Sequence, residues 1–210
     1  MTASADMTRL LTDVTVKYPG VMMTDAQAKL YAVANEFLAF SNLWYEDVSF
    51  DLVVGQNSYT LTLAEVPPGR IARLVALYDS QDVRLPDIYW CDRARLTLPN
   101  GLTIYTTPST VKTWVARVAK IIADVDADNN PALPDWVIQR YRDDLLAGIQ
   151  RDLCLEVGKP WSNPTMGAFW GKTFLQAKAR ARVDAIKSNV LGQTNWAYPQ
   201  SFGRGTQRGV

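Results

Sequence analysis

The spacing of apolar residues changes twice along this chain, and no all-helical or all-strand fold accommodates both changes. From Thr24 to Trp44, Leu30, Val33, Ala34, Phe37, Ser41 and Trp44 recur at three- and four-residue steps, the repeat of one helix face. Between about 46 and 121 the step falls to two. Phe50 and Leu52 alternate with polar residues, then Tyr59, Leu61 and Leu63, and the stretch 111–116 alternates again. From Ile138 the longer step returns through Tyr141, Leu145, Ile149 and Leu153, and once more through Trp170, Phe174, Ala177, Ala181 and Ala185. Helix, strands and then helices specify an α+β fold: a bundle of about three to four helices with a small antiparallel β domain inserted into it.

Local signals place the boundaries. Leu10, Leu11 and Val14 predict a short first helix, which Pro19-Gly20 ends in a turn. Thr24 and Gln27 have the spacing of a capping box. Gly55-Gln56-Asn57 predicts a hairpin turn between the strands on either side, and Asn100-Gly101 predicts another. The stretches 70–78 and 88–91 read as further strands, which makes six to eight in a sandwich or barrel. Pro134 suits the first position of a helix that Gly158 ends. Pro160 blocks its continuation, and Ser162 or Asn163 caps the next helix with Pro164 in its first turn. The organisation expected is an N-terminal segment and first long helix over 1–45, the β domain over 46–122, a helical hairpin over 123–192 and an extended C-terminal arm over 193–210.

The chain offers little for catalysis. It has no histidine, which excludes histidine general bases, Ser-His-Asp and Cys-His nucleophiles and H-E-x-x-H metal sites. Asp143 and Asp144 are adjacent on a helix, so they point about 100° apart and do not converge on one substrate. Asp124, Asp126, Asp128 and Asp135 fall at positions 1, 3, 5 and 12 of a calcium loop, but Asn129 stands where the loop needs glycine and Asp135 where it needs glutamate. Calcium is therefore the weaker reading of an acidic loop, and no cofactor is implied. The two cysteines, Cys91 and Cys154, have no metal-like spacing. No apolar run is long enough to cross a membrane, and the first residues lack the pattern of a secretion signal, so cytoplasmic synthesis is expected.

Charge is unevenly placed. The net charge is +1, yet from Lys159 to the end there are eight basic residues and only one acid, Asp184. Lys172, Arg180 and Lys187 share one side of their helix. They are candidates to face nucleic-acid phosphate or a neighbouring subunit, although a basic helix face can also simply be solvated. The arm carries Trp196, Tyr198, Phe202, Arg204 and Arg208 and no acid, a composition suited to anchoring on a partner. Trp161, in the rigid connector between the last two helices, is a candidate for wedging against a second subunit; packing within its own subunit is the competing reading. A glycan-binding β domain, using Tyr59, Tyr78, Tyr89, Trp90, Tyr105 and Trp114 as stacking rings, is a rival, but no acid pair at a fixed spacing accompanies them.

Several stretches together resemble one family. They are 13–21 (DVTVKYPGV), 28–48 (AKLYAVANEFLAFSNLWYEDV), 55–63 (GQNSYTLTL), 129–164 and the aromatic 166–174 (MGAFWGKTF) with the basic helix that follows. In order and character they are similar to the head-to-tail adaptor, or connector, proteins of tailed bacteriophages, especially short-tailed ones. The resemblance covers roughly residues 9–190. It implies a structural, non-enzymatic virion protein: a homo-oligomeric ring, commonly a dodecamer, at the head–tail junction beneath the portal protein, assembled in the host cytoplasm. The arm residues would bind the portal, the other end would receive a tail or nozzle protein, and double-stranded DNA would pass through the ring without being read. The block at 46–121 is larger than in the mostly helical members. Another neck or tail-tube role is the alternative within the same class.

Overall fold

The structure, a computed structural model, describes residues 5–63, 69–79, 94–97, 99–105, 108–122 and 133–189. They form four helices and six strands. The helices are α1 (Ala5–Lys17), α2 (Met23–Ser41), α3 (Asp135–Cys154) and α4 (Pro164–Asn189). The strands are β1 (Tyr45–Leu52), β2 (Ser58–Thr60), β3 (Gly69–Tyr78), β4 (Ala94–Thr97), β5 (Gly101–Ile104) and β6 (Lys112–Ile122). The α+β fold expected from the apolar periodicity is the fold observed.

The helices pack because each carries an apolar stripe that water disfavours. Met7, Leu10, Leu11 and Val14 of α1 are buried, as are Leu30, Val33 and Phe37 of α2. Ile138, Tyr141, Leu145, Ile149 and Leu153 of α3 join the same core with Phe174, Ala177 and Ala181 of α4. Burying one large side chain of this kind is worth about 1.5–3 kcal/mol. The small residues of α4 let it lie close to α3, and Gly148 of α3 faces both α2 and α4. A β-carbon there would overlap Val33 and stand 3.0 Å from the Phe174 ring.

The strands make two three-stranded antiparallel sheets, ordered β1-β6-β3 and β2-β5-β4. Val48, Leu52, Leu77, Ala116 and Val118 of the first sheet share an apolar cluster with Tyr59, Leu102 and Ile104 of the second. This is a small sandwich. The expected turn at Asn100-Gly101 joins β4 to β5, with Thr97 paired to Gly101. The expected hairpin about Gly55 does not form: β1 pairs with β6 and β2 with β5, so the strands flanking that turn belong to different sheets. Alternation identified both as strands, but their partners lie far along the chain.

Other expectations shift by a few residues. Ser41 ends α2, Asn42 adopts the left-handed conformation (φ 58°), and Trp44 lies beyond the helix. The capping box is not used: Met22 precedes α2 without a side-chain cap, and the Gln27 side chain donates to the Tyr31 hydroxyl instead. Pro134 sits just before α3, not inside it, and α3 stops at Cys154. Gly158 occupies the turn beyond with a positive φ of 78°, which favours glycine. Asn163 does cap α4, accepting from the Met166 amide at 3.1 Å. The stretch 88–91 and the arm 193–210 lie outside the described residues.

The long strand β6 joins the two parts. Its last residue, Ile122, is packed in the helical core, and the Ile122 amide donates to Asn35 Oδ1 of α2 at 2.9 Å. One step earlier on that face, the Lys120 amide donates to the Trp44 carbonyl at 2.7 Å.

Candidate functional site

Helix α4 has two apolar sides. One is the buried stripe of Phe174, Ala177, Ala181 and Ala185. The other runs through Ala168, Lys172, Leu175, Ala179, Val183 and Ile186, at steps of four, three, four, four and three, and is exposed along its length. Leu175 and Ile186 are each more than half exposed, at 56% and 55%, and Phe169 near the start of the helix is 55% exposed. Leu175, Val183 and Ile186 align large apolar side chains on one exposed helix face, and apolar side chains grouped in this way on a surface are a common mark of an interaction site. The sequence carries this stripe as a second three-and-four spacing, masked by the basic residues interleaved with it.

The cations predicted on this helix divide. Arg180 is committed within its own chain, donating to both oxygens of Asp144 at 2.7 and 3.0 Å. Lys172 and Lys187 are exposed and meet no carboxylate among the described residues. Lys178, a further cation of the same helix, is buried. Its ammonium reaches Glu36 and lies 5.0 Å from the Phe174 ring centre. Arg151 of α3 shares the same carboxylate, at 2.8 Å, and also donates to Asp152. Burial alone would raise the Glu36 carboxyl; the hydrogen bonds from Arg151 and Lys178 overcome it and hold the group below its ordinary value.

The connector from 155 to 163 meets the first turns of α4, where Leu155 packs against Gly167. Trp161 is half-buried in its own subunit, where its Nε1 donates to Glu156 at 2.9 Å. Glu156 in turn pairs with Lys29 at 2.6 Å. Burial would raise the Glu156 carboxyl, but the hydrogen bonds from Lys29 and Trp161 hold it low. The other side of Trp161 lines an open cleft of about 310 Å³ with Lys17, Tyr18, Asn163, Met166 and Trp170. Val157 and Leu155 stand exposed beside it.

Chemistry is sparse elsewhere. Asp143 is 94% exposed while Asp144 turns to Arg180, so the adjacent acids do diverge. Of the weak calcium set, Asp124, Asp126 and Asp128 lie outside the described residues, and Asp135 opens α3. Among the described residues no group of three or more metal-ligating side chains occurs, and no helix is long and apolar enough to cross a membrane. Of the aromatics proposed for glycan stacking, Tyr59 and Tyr78 are buried, and the Tyr59 hydroxyl is occupied by the Gln56 carbonyl at 2.8 Å. Tyr105 is exposed, Trp114 is half-buried, and Tyr89 and Trp90 lie outside the described residues. The portal-arm candidates Trp196, Tyr198, Phe202, Arg204 and Arg208 also lie outside them.

No family model and no curated protein matches the chain.

Proposed function

We propose that this chain is a structural subunit that works by gripping copies of itself, and specifically a head-to-tail adaptor of a tailed bacteriophage. The observation that carries the self-association is the exposed apolar stripe on α4, opposite the stripe already buried in the bundle. A helix with two such faces is suited to a wall in which each subunit packs on the next. A head-to-tail contact of that kind closes into a ring when its rotation divides the circle. The further assignment, to a ring beneath a portal with DNA passing through, rests on the resemblance over residues 9–190. On this reading Lys172 and Lys187 flank the subunit contact, and the residues 193–210 supply the portal anchor.

Native mass measurement tests the self-association. Leu175→Glu combined with Ile186→Glu places two charges in the stripe without touching the buried core. The variant should keep the helical circular dichroism and the unfolding temperature of the parent, and it should no longer assemble, alone or on the portal. Assembly equal to the parent's would rule the stripe out. Removal of 193–210 separately tests the anchor: the ring contact should survive and portal binding should be lost.

A further inference from the structure

Seven lysines and arginines are at least half-buried among the described residues, and six of them meet a carboxylate. Lys29 meets Glu156, Arg117 meets Asp47, Lys120 meets Glu46 and Arg142 meets Asp13. Arg151 and Lys178 share Glu36. The seventh is Arg73 of β3. Its guanidinium donates to Asn42 Oδ1 at 2.5 Å and to the Phe40 carbonyl at 3.3 Å, both uncharged. A cation taken out of water usually acquires an anionic partner, because neutral acceptors recover only part of its hydration.

A second cation stands close by. Arg182 of α4 lies 5.6 Å from the Phe40 ring centre, and it meets no carboxylate among the described residues. Burial and then the charge of Arg182 hold Arg73 below its ordinary value. Lys178 approaches the same ring at 5.3 Å, but Glu36 already balances it. The carbonyl end of α2 offsets only about half a unit of charge. More than one positive charge is therefore uncompensated where β3, α4 and the end of α2 meet.

The backbone is shaped to produce this meeting. The pairing of β3 with β6 shifts between Ile71 and Arg73, which makes Ala72 a bulged residue, and a bulge re-aims the side chain that follows it. Asn42 is held in the left-handed conformation. Its backbone amide donates to the Leu38 carbonyl and its side-chain oxygen is taken by Arg73, while its side-chain nitrogen meets no acceptor among the described residues.

We propose that Arg73, Arg182 and Asn42 form an oxyanion site for a phosphate group. Two guanidiniums carried by different elements, β3 and α4, meet at Phe40, and a pair of separately held forks suits the several oxygens of a phosphate. The phosphate is either a free anion or the diester of a nucleic-acid backbone. The site does not depend on ring formation.

Titration calorimetry on the full chain, at low salt, tests it with two probes: inorganic phosphate and a short duplex DNA. At least one probe binds saturably. Arg182→Met, at an exposed position, weakens that binding about tenfold or more, the loss of one charge-assisted contact. Arg73→Lys keeps the charge but loses the fork, and it weakens binding several-fold. Lys112→Met, at the far end of β6, changes it less than twofold. If phosphate binds and duplex does not, the ligand is a free anion. If both bind and compete, it is the nucleic-acid backbone, and Arg182→Met lowers the salt slope by about one. Failure of both probes to bind, or binding by Arg182→Met equal to the parent's, overturns the proposal.

Discussion

Replacing Gly148 by alanine sets two effects of opposite sign against each other. Gly148 lies within α3, and alanine in a helix interior is favoured over glycine by about 1 kcal/mol. Against this, the new methyl would overlap Val33 and crowd the Phe174 ring at 3.0 and 3.1 Å. Neither neighbour has any solvent exposure, so neither can swing aside into water. Overpacking of this sort costs about 1–3 kcal/mol, and fixed neighbours on two different helices place the cost in the upper part of that range. The expected net effect is a loss of about 1–2 kcal/mol. In a chain of this size that lowers the thermal midpoint by roughly 2–8 °C. Calorimetry or circular dichroism measures it. Val33→Ala removes the overlapping group, so the double variant should be more stable than the two single losses predict, by about 1 kcal/mol. A midpoint raised by Gly148→Ala, or strict additivity with Val33→Ala, would refute the close packing of α2, α3 and α4 at this point.

Two further predictions concern charge. Lys120 is almost fully buried and its ammonium meets Glu46 at 2.8 Å, so Glu46→Ala removes a carboxylate from a buried cation and should cost about 3 kcal/mol in denaturant unfolding, whereas Lys120→Met with Glu46→Gln should recover most of that loss. The Glu36 and Glu156 carboxyls are held below their ordinary value of 4.5 in the folded chain. Their contribution is therefore complete above that value and disappears as pH falls through the lower folded values. The urea midpoint should be flat from pH 7 to 5 and fall below about pH 4.5, and Glu36→Gln should make that fall shallower. An unchanged acid limb in Glu36→Gln would contradict the pairing with Arg151 and Lys178.

The helices were legible because each needs only its own repeat. The stripe Ile138, Tyr141, Leu145, Ile149 and Leu153 is written in consecutive turns of α3, and all five side chains are buried. The β lobe was legible as strands but not as a topology. Alternation around Phe50 and Tyr59 announces half-buried strands, yet nothing local tells β1 that its partner begins at Lys112. The turn residues at Gly55 sit equally well in a loop between two sheets. Buried cations were the least legible. Lys178 and Lys120 look like ordinary solvated lysines until a glutamate more than 70 positions away closes on each, and such pairing has no periodic trace. The outer stripe of α4 was spelled out in full by Leu175, Val183 and Ile186, but it is masked by the lysines and arginines between them.

The end of β6 carries a mechanical consequence. Because Ile122 is locked into the helical core while the rest of its strand is the spine of a sheet, load applied to the lobe travels along that strand to Ile122 and passes into α2 through core packing and the hydrogen bond to Asn35. Antiparallel ladders on both flanks of that spine resist such load in shear, many hydrogen bonds yielding together and not one by one. Lobe and bundle should then melt as a single cooperative unit, and a pull on one should be felt by the other with little slack.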